Sequence, residues 1–186
     1  MLLSIFENSK DAPTIAYIAS IFRETLCLKQ GKSKKCSANN LNRQQCVQVF
    51  VTLNGTQAVV RAVLANNSRR EGVAGGEQLL SDLVWILASL ATKDPKFATK
   101  VRMLGCVRIL HYILKGHMTD NKFIFPLLIV IKQLTKNPIT VSILIRDGIA
   151  VTYERALATL GCIPTVRLRL CLAGIAYMSK NSTQFI

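Results

Sequence analysis

The stretch Lys93-Asp94-Pro95-Lys96-Phe97-Ala98-Thr99-Lys100-Val101-Arg102-Met103-Leu104-Gly105-Cys106-Val107-Arg108-Ile109-Leu110-His111-Tyr112-Ile113-Leu114 decides how this chain is read. It holds a polar turn, a short periodic segment, a glycine and a second periodic segment. After Gly105, the apolar residues Ile109, Leu110, Ile113 and Leu114 fall at offsets of 4, 5, 8 and 9. That spacing puts all four on one face of a helix. Glycine reaches positive φ cheaply, so Gly105 reads as a sharp corner between two helices.

The pattern recurs on both sides. Val49-Phe50-Val51-Thr52-Leu53-Asn54-Gly55 and Ile143-Leu144-Ile145-Arg146-Asp147-Gly148 also run into a glycine. At the same offsets Gly55 is followed by Val59, Val60, Val63 and Leu64, and Gly148 by Thr152, Tyr153, Ala156 and Leu157. The three glycines are 50 and 43 residues apart. A second marker repeats independently: Leu90, Leu134 and Met178 are each 44 apart. They precede Lys93-Asp94-Pro95, Lys136-Asn137-Pro138 and Lys180-Asn181-Ser182. Each of these turns offers an N-cap type of residue, and in two copies a proline follows at the first helical position. A long apolar helix is predicted before each turn, over 78–91, 122–135 and 165–179.

The unit is therefore a short helix, a glycine corner, a middle helix, a polar loop and a long helix, with a period of about 43–50 residues. Sustained period-2 alternation, the strand signal, is missing. The predicted class is all-α: a right-handed α-solenoid of armadillo/HEAT-like repeats, for which about 40–47 residues is the usual period. An irregular helical bundle is the bland alternative, and two independent markers at nearly one period argue against it. Residues 1–186 read as one domain of about three to four repeats. Two basic or polar loops interrupt it, 29–42 (with Lys29, Lys32, Lys34 and Lys35) and 66–76. Residues 1–8 read as the tail of a middle helix and 182–186 as the start of a short one. The expectation is a chain cut within a repeat at both ends, as a fragment, a short isoform or a product that self-associates through its apolar ends.

Composition sets the class of function. There are 24 Lys and Arg against 10 Asp and Glu, a net charge of +14, and half the chain is hydrophobic. That apolar share rules out intrinsic disorder. The longest nearly unbroken apolar run, 123–131, contains Pro126 and is far shorter than the about 20 residues of a membrane-spanning helix. Met1-Leu2-Leu3-Ser4-Ile5-Phe6 lacks the basic region and apolar core of a signal peptide, so the expected location is cytoplasmic. There Cys27, Cys36, Cys46, Cys106, Cys162 and Cys171 read as reduced and mostly buried, ahead of disulfides or a zinc site. The sequons at Asn54, Asn66 and Asn181 then carry no glycan.

Catalytic patterns do not emerge. His111 lies beside the apolar face of a middle helix and reads as structural or surface. His117 has only Asp120 nearby, with no third metal ligand in view. Neither a G-x-x-x-x-G-K-[ST] loop nor a G-x-S-x-G elbow occurs. A binding surface fits better. Counting back from the long-helix markers gives Ser89, Gln133 and Tyr177 at one position, and Trp85, Ile129 and Ala173 four residues earlier on the same face. The candidate groove residues are Trp85, Ser89, Gln133 and Tyr177, although Trp85 reads equally well as core. Arg61, Arg108, Lys115, Arg155, Arg167 and Arg169 read either as solvated helix faces or as a positive field for acidic tails. No aromatic-rich RNA motif or helix-turn-helix favours nucleic acid.

Four segments carry a family resemblance: Phe6-Glu7-Asn8-Ser9-Lys10-Asp11; Phe50-Val51-Thr52-Leu53-Asn54-Gly55-Thr56-Gln57; Lys93 through Arg102; and Val141-Ser142-Ile143 with Asp147-Gly148. In order and spacing they resemble the N-terminal armadillo region of the cytosolic carboxypeptidases, and most of all the long forms that process tubulin. The 29–42 stretch, the Arg69-Arg70 loop and the abundant cysteines depart from the family pattern. The resemblance implies a zinc metallocarboxypeptidase that removes glutamates from tubulin tails, with H-x-x-E and a distant histidine as zinc ligands in a downstream domain. Neither His111 nor His117 is followed by that pattern, so no catalytic or metal residue carries over. The implied role is a non-catalytic helical scaffold, without a cofactor of its own and without a membrane. Its implied partners are acidic tubulin tails and the parent protein's downstream domains. The alternative is a stand-alone armadillo-type adaptor for acidic peptides or proteins.

Overall fold

The computed structural model describes residues 1–27, 37–68, 76–161 and 163–182. They form helices α1 (Leu2–Asn8), α2 (Ala12–Leu26), α3 (Ser37–Thr52), α4 (Gly55–Ser68), α5 (Gly76–Ala91), α6 (Phe97–Met103), α7 (Val107–Gly116), α8 (Ile124–Leu134), α9 (Pro138–Arg146), α10 (Ile149–Leu160) and α11 (Val166–Ser182). Among the described residues there is no strand, so the all-α class stands. The triplets α6–α8 and α9–α11 are two copies of the short–middle–long unit. Their members begin 41, 42 and 42 residues apart, at 97 and 138, 107 and 149, and 124 and 166.

The chain divides into two compact units, Met1–Asp94 and Pro95–Ile186, where the sequence reads as one domain. In the first, α5 packs on α2, α3 and α4, while α1 packs on α2 and α4. Phe6, Phe22 and Phe50 meet edge to face in that core, at centroid distances of 5.5 and 4.9 Å. In the second, α8 packs on α6, α7 and α11, and α9 on α7, α10 and α11. The helical faces read from the glycine offsets are the buried ones. Val59, Val60, Val63, Leu110, Ile113, Leu114, Thr152, Tyr153 and Ala156 are buried, and Leu64, Ile109 and Leu157 half-buried. Leu90, Leu134 and Met178 are buried as well.

The corners are made in two ways. Gly105 and Gly148 take φ of 71° and 78°, the left-handed conformation expected of a glycine corner. At the first corner it is Asn54 that turns the chain, with φ 61°. Gly55 serves close approach instead, because a Cβ there would run into the ring and carbonyl of Phe50.

The polar turns also differ from one another. Asn137 caps α9 as predicted, its Oδ1 accepting from the amides of Ile139 at 3.0 Å and Thr140 at 3.3 Å, with Pro138 opening the helix. Asp94 does not cap α6, whose N-cap position is Lys96. Asp94 is buried and accepts a 2.7 Å hydrogen bond from Thr56 Oγ1 at the start of α4. No turn forms at Lys180-Asn181-Ser182, because α11 runs on through Ser182; Ser182 lacks the ring that lets Pro138 mark a new start. Asn181 Nδ2 instead donates to the Thr135 carbonyl at 2.8 Å. The predicted loop 29–42 is helical from Ser37 onward, within α3, and residues 28–36 lie outside the described residues. In the loop 66–76, Asn66 to Ser68 belong to α4 and Gly76 opens α5, and 69–75 lie outside. Residues 183–186, Cys36 and Cys162 also lie outside the described residues.

His111 is structural and buried, not on the surface. Its Nε2 lies 2.7 Å from Thr152 Oγ1, which joins α7 to α10. One turn on either side along α7, Arg108 Nε meets Asp147 Oδ1 at 3.3 Å and Lys115 Nζ donates to the Asp147 carbonyl at 3.0 Å. The column Arg108–His111–Lys115 thus ties one repeat to the next. His117 packs its ring 4.2 Å from that of Phe123, and Asp120 Oδ1 accepts from the Lys122 amide at 2.8 Å, so both shape the turn into α8.

Two predictions follow from these contacts. Gly55→Ala loses about 1–3 kcal/mol in urea unfolding, the cost of overpacking against Phe50. Gly116→Ala, where an added methyl meets open space, stays within about 1 kcal/mol of the parent chain. The second prediction concerns pH. Burial, helped by the nearby Lys115 charge, holds His111 below its usual pKa, while Asp147 acts weakly the other way. The unfolded chain therefore takes up the proton first as pH falls. Stability is full above about pH 6.5, the ordinary histidine value, and declines as pH drops through it. Thermal melts from pH 8 to 5 should show that decline, and His111→Gln should flatten it.

Candidate binding face on the long helices

On α5, residues Gln78, Asp82, Trp85 and Ser89 recur at offsets of 4, 7 and 11, so they share a face. Asp82 is buried and ion-paired with Arg23 from α2, and Gln78 Nε2 donates to the same carboxylate at 2.9 Å. The Arg23 guanidinium also lies over the Trp85 ring, 5.7 Å from its centroid. That cation–π contact fixes the indole without covering it: Trp85 is half-buried, and so is Ser89. Ser89 hydrogen-bonds the Cys27 thiol. Burial pushes that thiol's pKa up, while Ser89, Arg23 and Arg43 oppose the shift.

The second unit builds the same device from different residues. Gln133 on α8 and Tyr177 on α11 are half-buried, as is Ile129 one turn before Gln133. Lys136, in the turn after α8, sits over the Tyr177 ring at 5.4 Å. In each unit a cation from one long helix or its exit turn sits beside an aromatic ring on the next long helix. Trp85 and Ser89 belong to the first unit, Gln133 and Tyr177 to the second. The sequence reading found the rings and missed Arg23 and Lys136. For Lys136 a signal was there, since a lysine recurs in Lys93-Asp94, Lys136-Asn137 and Lys180-Asn181.

The candidate basic residues do not act alike. Arg61 on α4 pairs with Glu7 on α1 at 3.4 Å, while Arg108 and Lys115 converge on Asp147. These three hold helices together, though exposed pairs of this kind contribute at most about 1 kcal/mol each. Arg167 donates to Asn121 Oδ1 at 2.8 Å. Arg155 and Arg169 are exposed.

Among the described residues, no three His, Cys, Asp or Glu side chains come together to hold a metal ion. Cys27, Cys46, Cys106 and Cys171 are free thiols, and all but Cys46 are buried. Burial pushes Cys106 up to about 12 and Cys171 to about 11, which suppresses the reactive thiolate. No single helix among the described residues is long and apolar enough to cross a membrane. The pair 41–52 and 55–67 passes such a test only when joined across a 75° bend.

Residues 1–185 match the family described as CCP1-like, N-terminal TPR repeats. Curated relatives include cytosolic carboxypeptidase 1 of Gallus gallus, 25% identical over 183 residues, and that of Homo sapiens, 24% identical over 183 residues. The Mus musculus protein of the same name is 22% identical over 183 residues. Each match covers 98% of this chain but 14% of the relative, so the chain spans about a seventh of the relatives' length. The family description uses the tetratricopeptide name. The three-helix unit seen here repeats at 41–42 residues, longer than the about 34-residue helix pair of that class and closer to armadillo/HEAT repeats. With nearly its whole length matched, the chain belongs to the family of CCP1-like N-terminal helical repeats.

Proposed function

We propose that this chain is the non-catalytic helical platform of a cytosolic metallocarboxypeptidase that removes glutamates from tubulin tails, and that it works in the cytoplasm by helping to hold acidic substrate. The observation that carries this reading is the end-to-end match to repeats named as N-terminal in the cytosolic carboxypeptidase 1 family. Among the described residues no three His, Cys, Asp or Glu side chains come together to hold a metal ion; His111 meets Thr152, and His117 lies 4.0 Å from Asp120. Zinc and its chemistry belong, in this reading, to a catalytic domain elsewhere in the parent protein. The platform's own contribution is recognition. The net charge of +14 draws acidic tails toward it, and Lys136 beside Tyr177 offers an exposed cation next to an apolar ring. A glutamate carboxylate pairs with the ammonium while its methylenes lie on the phenol ring. The partners in this reading are tubulin tails and the parent protein's other domains.

A labelled tubulin-tail peptide with a polyglutamate branch should bind the purified chain, and its affinity should fall as salt is raised. Lys136→Glu should weaken it several-fold. Absence of binding at low salt overturns the recognition role. The same peptide incubated with the chain, with or without zinc, should release no glutamate by mass spectrometry. Measured turnover overturns the non-catalytic role.

A further inference from the structure

Charge divides unevenly between the two units. Pro95–Ile186 holds 13 Lys and Arg against Asp120, Asp147 and Glu154, so it carries +10 of the chain's +14. Met1–Asp94 holds 11 basic residues against 7 acidic ones. The imbalance is sharpest on the helices that carry the ring contacts. Helices α2 and α5 bear Arg23 together with Glu24, Glu77 and Asp82. Helices α8 and α11 and the turn 135–137 bear Lys132, Lys136, Arg167, Arg169 and Lys180, and their sequence contains no Asp or Glu.

The two ring–cation contacts inherit this difference. Beside Trp85, the Arg23 guanidinium is already ion-paired with Asp82, so an arriving carboxylate meets a neutralised cation and a like charge. Beside Tyr177, Lys136 has no acid in its own turn, on α8 or on α11. The strip leading to it is open on an inner helix. α8 is packed by α6, α7 and α11, yet Ile129, Lys132 and Gln133 stay half-buried and Lys136 exposed. These four residues share one face, at offsets of 3, 4 and 7. α8 and α11 run parallel: Asn121 meets Arg167 and Thr135 meets Asn181, 46 residues apart in both cases. Tyr177 and Lys180 therefore lie alongside the C-terminal half of α8.

We propose that acidic peptide is held by the second unit alone, extended along α8, with carboxylates on Lys132 and Lys136 and their methylenes over Ile129 and the Tyr177 ring. This rests on the acidic-substrate reading above and adds where that substrate sits. Lys132 and Lys136 are one helical turn apart, a rise of about 6 Å. An extended peptide places every second side chain on one side, about 7 Å apart, so alternate glutamates match the two ammonium groups. The apolar floor favours a peptide over nucleic acid. Glutamate brings methylenes to lie on it, whereas a phosphate brings none.

The test titrates the whole chain with the labelled polyglutamate-branched peptide at low salt. Lys132→Gln and Lys136→Gln should each weaken binding by about three- to fivefold, and the double variant by about tenfold or more. Arg146→Gln removes the same charge from the exposed end of α9 and should change the affinity by less than about twofold. Trp85, the only tryptophan, reports on the first unit and should keep its emission maximum at saturation. Circular dichroism melts check that the variants keep the fold. Failure of the parent chain to bind overturns this proposal and the acidic-substrate reading together. Binding that Arg146→Gln weakens as much as Lys136→Gln, or a Trp85 shift that survives in the double variant, overturns the placement and leaves that reading standing. Polyuridylate that binds more tightly than the peptide, through the same two lysines, makes nucleic acid the occupant and overturns the proposal.

Discussion

The long helices α5 and α8 cannot tolerate water on most of their surface, and this constraint organises the rest. In α5, 11 of 16 residues are buried, and in α8, 7 of 11. A helix apolar on so many sides needs neighbours on nearly all of them. For α5 these are α2, α3 and α4; for α8 they are α6, α7 and α11. No single repeat can supply that cover alone, so α5 takes part of it from α2 and α8 takes part of it from α11. The corners at Gly105 and Gly148, the cap at Asn137 and the Arg108–His111–Lys115 column all set where the covering helices lie.

The same constraint decides what is left for function. Where the long helices escape full burial, the chain places a half-buried ring beside a cation: Trp85 of α5 with Arg23, and Tyr177 of α11 with Lys136. An aromatic ring in this setting gives apolar contact without a large entropy penalty, and the cation adds a polar anchor. The other titratable groups serve the fold. Asp82, Asp94 and His111 are buried and hydrogen-bonded to partners on other helices.

Much of the fold was legible in the sequence because helical burial is local and periodic. The offsets after Gly55, Gly105 and Gly148 named the inner faces of α4, α7 and α10, and the markers Leu90, Leu134 and Met178 are buried in α5, α8 and α11. What was misread shares one cause. Asp94 and Asn181 were assigned roles from their immediate neighbours, whereas both answer to distant residues, and Gly55 was read as the corner that Asn54 makes. Asp94 answers to Thr56, Asn181 to Thr135, and Gly55 to a phenyl ring five residues back. Asn54 takes the left-handed turn, and Gly55 beside it lies close to Phe50.

The candidate site divides along the same line. The sequence by itself determined the helical class, an approximate repeat length and the inner faces of α4, α7 and α10. Those properties follow from a period of 3.6 residues and need only one chain segment at a time. The tertiary structure alone decided which cation meets which ring, and that Arg61, Arg108 and Lys115 hold helices together. Such pairings join residues dozens of positions apart, and no local pattern encodes the helix that will lie across a given face.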